Sequence, residues 1–135
     1  MADVTTSTTI IDGGREAVMS FTYQYVDAGN ESAVTKVDVS SLQESADGDT
    51  CTGVRIAEIW YSTVGMTVEI LSDASTNVFI THLPSDFTDH VDMSAFNGLS
   101  SKLGTSPNGD VLFTTTGAGA AGDSYNVVLR MIKEY

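Results

Sequence analysis

From Ser124 to Tyr135 (SYNVVLRMIKEY) the chain places Tyr125, Val127, Leu129 and Met131 at every second position. Only a two-residue period puts those four side chains on one side, since a helix would scatter them around its axis. The same alternation runs through Glu16 to Val26, where Met19, Phe21, Tyr23 and Tyr25 oppose Ser20, Thr22 and Gln24. It returns in Val34 to Ser40, Met66 to Ser72, Val78 to Leu83 and Asp110 to Thr116, and Pro84 stops the third of these. Gly53 to Thr63 differs, with Val54, Ile56 and Trp60 on one side, interrupted by Glu58, and Ile59 and Tyr61 on the other. That pattern predicts a strand with apolar groups on both faces. No stretch sustains a helical period. Seven or eight short strands punctuated by Gly and Asn predict an all-β fold, an antiparallel β-sandwich of the jelly-roll kind.

Two hairpins are expected: Glu16–Val26 with Val34–Ser40 across Asp27-Ala28-Gly29-Asn30, and Met66–Ser72 with Val78–Leu83 across residues 73–77. Gly117 to Asp123 reads as a hairpin connector, and Asn108-Gly109 as a turn. Pro84 to Pro107 carries Phe87, Val91, Met93, Phe96, Leu99 and Leu103 without sustained alternation. It is too long for an unstructured loop and predicts a folded cover across a sheet edge, with a short helical turn around Met93 to Phe96. Residues 15–135 form one sandwich domain in this reading, and residues 1–14 an N-terminal arm or edge strand. Met1 to Ile11 is Thr-rich and β-prone, followed by Asp12-Gly13-Gly14 as a hinge. It either reaches out to a sheet edge on a neighbour or forms the first strand of its own sandwich. Val4, Thr6, Thr8 and Ile10 of this segment, with Phe87 and Phe96 of the cover, are the candidate interaction residues.

A chain of 135 residues suits a single domain. Six basic against eighteen acidic residues give a net charge of −12. Such a field repels phosphate backbones and anionic lipid, so neither nucleic acid nor membrane is an expected partner. Basic protein surfaces and divalent cations would be attracted, and solubility is the plainest consequence. The first residues hold no basic region and no apolar run, so the expectation is a protein made in a cytoplasm. The single cysteine, Cys51, excludes an intrachain disulfide and a cysteine zinc cage.

Catalytic chemistry finds little to build on, and neither an enzyme nor a cofactor is expected. His90 lies among Asp86, Asp89 and Asp92, a spacing able to gather ligands around a cation, but an acidic loop is the ordinary way to keep a surface segment wet and no metal is expected. The Asp47-Gly48-Asp49 turn lacks the distal Glu of a calcium loop. No G-x-S-x-G elbow occurs, Gly117 to Gly122 lacks the Lys-Ser/Thr of a phosphate loop, and Cys51 has no nearby cation to activate it. Trp60-Tyr61 with Tyr23 and Tyr25 would suit a sugar-stacking platform, though large aromatics more often pack a core.

Four stretches, in this order, carry a family resemblance: Glu58 to Ile70 (EIWYSTVGMTVEI), Phe96 to Leu99 (FNGL), Gly109 to Gly117 (GDVLFTTTG) and Gly122 to Tyr135 (GDSYNVVLRMIKEY). Together they resemble small structural proteins of marine tailed bacteriophages, including those of cyanobacteria, over the C-terminal two-thirds of the chain. The resemblance implies a non-enzymatic virion protein on the capsid surface, most simply a decoration or cement protein. Its implied partners are the major capsid protein and further copies of itself, in a homo-oligomer such as a trimer. A head-to-tail connector, a tail or fibre-associated protein, and a host-surface carbohydrate-binding module are the alternatives.

Overall fold

The computed structural model describes residues 3–27 and 29–135; Met1 and Ala2 of the expected arm and Ala28 of the expected turn lie outside the described residues. Among the described residues ten strands form: β1 (Val4–Asp12), β2 (Glu16–Gln24), β3 (Val34–Val37), β4 (Gly53–Val64), β5 (Thr67–Ser72), β6 (Val78–Leu83), β7 (Thr88–Asp92), β8 (Leu99–Ser100), β9 (Val111–Thr116) and β10 (Ser124–Glu134). They make two sheets. The first runs β1-β2-β10-β4-β7, with β8 also on β4, and the second runs β3-β9-β5-β6. Every pairing is antiparallel. The fold is thus an all-β sandwich.

Its path is one long ribbon folded back on itself. The β5/β6 hairpin is the tip, and β4 pairs with β7, β3 with β9, and β2 with β10 on the way back. Successive ribbon pairs alternate between sheets, so most connections cross from one layer to the other.

One expected hairpin and one expected hairpin connector are corrected by this path. Strands β2 and β3 do not pair, because both edges of β2 are taken by β1 and β10. The chain instead climbs to the second sheet, where the Glu31 and Ala33 N–H groups donate to the hydroxyls of Thr115 and Thr114 of β9, each at 2.8 Å. Strand β3 also stops early: Asp38 accepts from the Ser40 N–H and opens a 3₁₀ turn over Val39–Ser41. Residues 117–123 likewise join β9 in one sheet to β10 in the other, so they are a crossover and not a hairpin. The β5/β6 hairpin forms as expected. Residues 84–107 hold a 3₁₀ turn at Ser94–Phe96, where a helical turn was expected, and also two unforeseen strands, β7 and β8.

The core lies between the layers. Tyr125, Val127, Leu129 and Met131 of β10 are buried, with Ala17, Phe21 and Tyr23 of β2 beside them and Val68, Ile70, Val111 and Phe113 opposite. Phe113 meets Phe21 and Tyr125 edge-on, with ring centroids 5.3 and 5.8 Å apart, and Tyr23 stacks on Tyr125 at 5.5 Å. Such pairs add about 1 kcal/mol each beyond the area they bury. Strand β4 explains its two-faced pattern by a bulge: Ile56 pairs with Met131 and Glu58 with Arg130, leaving Ala57 as the extra residue. Val54 and Ile56 point inward before it, Ile59 and Tyr61 after it, and Trp60 is turned to solvent.

Candidate functional site

Thr and Ile favour extended backbone, and β1 pairs with β2 along its whole length. Yet every residue from Val4 to Ile11 is exposed, so the second sheet does not cover this strand on its inner side. Among the described residues no strand pairs with its other edge. Val4, Thr6 and Thr8 face outward beside Gln24, Thr22 and Ser20, while Ile10 is the extra residue of a bulge and is 56% exposed. Phe87 and Phe96 are also exposed but flank β7 at the far edge of the same sheet. With ~4.8 Å per strand, roughly 19 Å separates the two groups. The six candidate interaction residues therefore form two surfaces.

Between those edges the outer face of the first sheet is ordered by register. One row reads Thr6, Thr22, Asn126, Ser62, Thr88 across β1, β2, β10, β4 and β7. The next reads Thr8, Ser20, Val128, Trp60, His90. On the other side of the first row lie Val4, Gln24, Ser124 and Val64. None of the three rows contains Asp, Glu, Lys or Arg, although such residues are 18% of the chain. Two shallow depressions lie here. One, of about 480 Å³, is lined by Trp60, Ser62, Thr88, His90, Asn126 and Val128, with Tyr61 and Asp89. The other, of about 390 Å³, is lined by Val4, Thr22, Gln24, Ser124 and Asn126, with Tyr23 and Gly122. Asn126 lines both, so the two are adjacent.

The charged groups stand one row further along. His90 Nε2 lies 3.1 Å from Glu58 Oε1, Arg130 Nη1 donates to Glu58 Oε2 at 3.1 Å, and Arg130 Nε donates to Glu16 Oε1 at 3.0 Å. The hydrogen bond to Glu16, then the charges of Glu16 and Glu58, hold the Arg130 guanidinium above its ordinary pKa against partial desolvation. This ladder fixes His90, and His90 fixes Trp60: the two rings are parallel within 1° with centroids 4.7 Å apart. Trp60 stays 38% exposed, so the indole is held in one orientation and still open to solvent. His90→Ala is expected to cost about 1 kcal/mol, the worth of a stacked ring pair. Because Trp60 is the chain's one tryptophan, a red shift of its emission reports the loss of the stack directly.

The other chemical candidates are placed elsewhere. Tyr23 and Tyr61 are core residues, and burial foremost raises both hydroxyl pKa values, so of the aromatic platform Trp60 is the open member. Cys51 is buried, its thiol directed at the Gly53 carbonyl at 3.2 Å. Asp89 pairs with Tyr61 and Asp92 with Glu58, so the period of β7 sends the two carboxylates flanking His90 to different registers. Among the described residues no three His, Cys, Asp or Glu side chains gather as metal ligands, and no helix is long and apolar enough to cross a membrane. Sequence reasoning missed Ser62, Thr88 and Asn126. Their signal was the outward half of each alternation, legible only once the strands that pair are known. No protein-family model, curated protein or solved structure matches the chain.

Proposed function

We propose that this chain is a non-enzymatic structural protein of a tailed-phage virion, a capsid decoration protein that attaches to the major capsid protein through the free edge of β1. The observation that carries this reading is β1 itself: nine residues long, exposed on both faces, and uncharged from Val4 to Ile11 in a chain of net charge −12. Edge strands in monomeric proteins are ordinarily blunted by charge, proline or a bulge. Here the bulge at Ile10 and the charge of Asp12 both lie at the strand's end, which leaves Val4–Thr9 regular and ready to add to another sheet. The resemblance in the C-terminal two-thirds supports a virion origin. The strand order supports the jelly-roll reading, because a ribbon pairing β2/β10, β3/β9, β4/β7 and β5/β6 and wound across two sheets is the jelly-roll path. The strong acidity suits a basic patch on the shell, and it leaves the neutral edge as the place where close approach is least opposed.

The double variant Ser7→Lys/Thr9→Lys tests this reading. Both residues are exposed and pair with Phe21 and Met19 on the inner side of the sheet, so the substitutions charge the edge without touching the core or the outer face. The expected result is a folded protein, by circular dichroism, that no longer binds particles lacking it. Those particles then release DNA at a lower temperature than decorated ones, since binding only the assembled shell stabilises it. Undiminished decoration by the double variant rejects the β1 attachment, and equal opening temperatures for bare and decorated particles reject the decoration role.

A further inference from the structure

We propose that the outer face of the first sheet binds a neutral glycan chain, with Trp60 as the stacking platform and the Thr6-Thr22-Asn126-Ser62-Thr88 row as the hydrogen-bonding track. The inference rests on the geometry of this face and stands independently of whether the chain decorates a shell.

Three observations converge. A sugar ring presents an apolar C–H face and a rim of hydroxyls, and an aromatic plane beside groups that both donate and accept matches both. Trp60 supplies the plane, locked by His90 at 4.7 Å, so little ordering entropy remains to be lost when a ligand stacks on it. Ser62 lies next to Trp60 on the same face of β4, with Thr88 Oγ1 donating to its hydroxyl at 3.0 Å. Asn126, with two amide donors and a carbonyl acceptor, sits where the depressions of about 480 and 390 Å³ meet. A small molecule would need one depression. Two that share a wall, running along a row of roughly 19 Å across five strands, suit an extended chain of linked sugars.

Charge then selects among glycans. The three rows hold no Asp, Glu, Lys or Arg, so nothing on them pairs with a carboxylate or sulfate, and the net charge of −12 repels both. The occupant is therefore neutral. A protein partner is a poorer match, because binding hot spots gather several aromatic or Arg anchors in a desolvated centre, whereas here a single indole, with Val128 beside it, borders a row of Thr, Ser and Asn side chains.

The sole tryptophan makes the test direct. The full chain is titrated with neutral gluco-, manno- and galacto-oligosaccharides, and with a sulfated oligosaccharide as control, while indole emission is followed. The expected result is a saturable shift with at least one neutral series and none with the sulfated one. By calorimetry, Trp60→Ala lowers affinity at least about tenfold and Asn126→Ala several-fold, with unchanged circular dichroism. Longer oligosaccharides bind more tightly than the disaccharide, because they reach both depressions. Ser7→Lys/Thr9→Lys binds sugar as the unaltered protein does, which separates this face from the β1 edge. The proposal is overturned if no neutral series perturbs Trp60, if the sulfated sugar binds equally well, or if Trp60→Ala retains affinity. It is also overturned if Trp60→Ala detaches the protein from particles while no sugar binds, for then the face is a protein contact.

Discussion

Gly109→Ala lowers the stability of the sandwich by about 4 kcal/mol, combining left-handed backbone strain with overpacking. Gly109 has φ +90°, and a Cβ there would lie 1.9 Å from the Thr52 carbonyl oxygen. That oxygen belongs to the backbone leading into β4, so no side-chain rotation relieves the overlap. Either the entry to β9 or the start of β4 must move. Gly122→Ala is the internal control: φ is +95° but nothing lies within 4 Å of the added methyl, so only the backbone cost of about 1 kcal/mol is expected. Urea denaturation of the two variants reads the difference as the steric part. Similar losses in both would mean that the Thr52 contact relaxes freely. Against a total of about 5–15 kcal/mol for a domain, the larger loss brings the chain close to unfolding at physiological temperature.

Asp12→Ala costs about 3 kcal/mol, because it removes a carboxylate paired with a buried cation. The Lys133 side chain has no exposed area, and its Nζ donates to Asp12 Oδ1 and to the Gly13 and Gln43 carbonyls. Two acceptors survive the substitution, which places the loss at the low end for a broken buried pair. Replacing both partners, Asp12→Ala with Lys133→Met, recovers most of it, since the methionine fills the space without a charge. If the double variant is no more stable than the single one, the ammonium is not the source of the loss. Burial raises the Asp12 carboxyl, but the Lys133 hydrogen bond and charge, together with the Gln43 N–H, outweigh it and leave the pKa below 3.8. A carboxyl depressed in the folded state contributes fully above its unfolded pKa and loses that contribution as pH falls through the folded value. The gap between wild type and Asp12→Ala should thus hold constant from neutral pH down to about pH 5 and close in stronger acid. The pair also bears on the N-terminal segment. Cutting the chain after Asp12 would strip Lys133 along with β1, which is why charged substitutions at Ser7 and Thr9 are the cleaner probe of the edge.

The inward rows were legible because alternation with large apolar side chains has one reading, and Tyr125, Val127, Leu129 and Met131 are all buried. Pairing was not legible. Period two tells which face a residue occupies but not which strand lies beside it, and β2 and β3 have turn residues between them yet lie in different sheets. Bulges hid the rest: one extra residue at Ala57 reverses the phase of β4, so that Trp60, grouped in sequence with Val54 and Ile56, is turned away from both. Strand β7 escaped notice because Thr88, Asp89, His90 and Asp92 are all exposed and only Val91 is partly covered. The hydroxyl row of the candidate site is assembled from five separate strands, none of which carries a recognisable motif.

Strand β10 is the last of the ten in chain order, yet it sits in the middle of the larger sheet, between β2 and β4. Neither β2 nor β4 can settle against its final neighbour until Ser124–Glu134 has been synthesised and has left the ribosome. A nascent chain that already carries β1 to β9 therefore holds two open edges and lacks Tyr125, Val127, Leu129 and Met131 of the core, and closure waits on the β10 insertion. Pairings this distant in sequence form slowly, because a long loop must close before any contact rewards it. Closure of the larger sheet is consequently a late step, set by the last strand to emerge and not by the first. A chain cut short between β9 and β10 exposes the β2 and β4 edges that β10 would have covered, and such open edges invite aggregation.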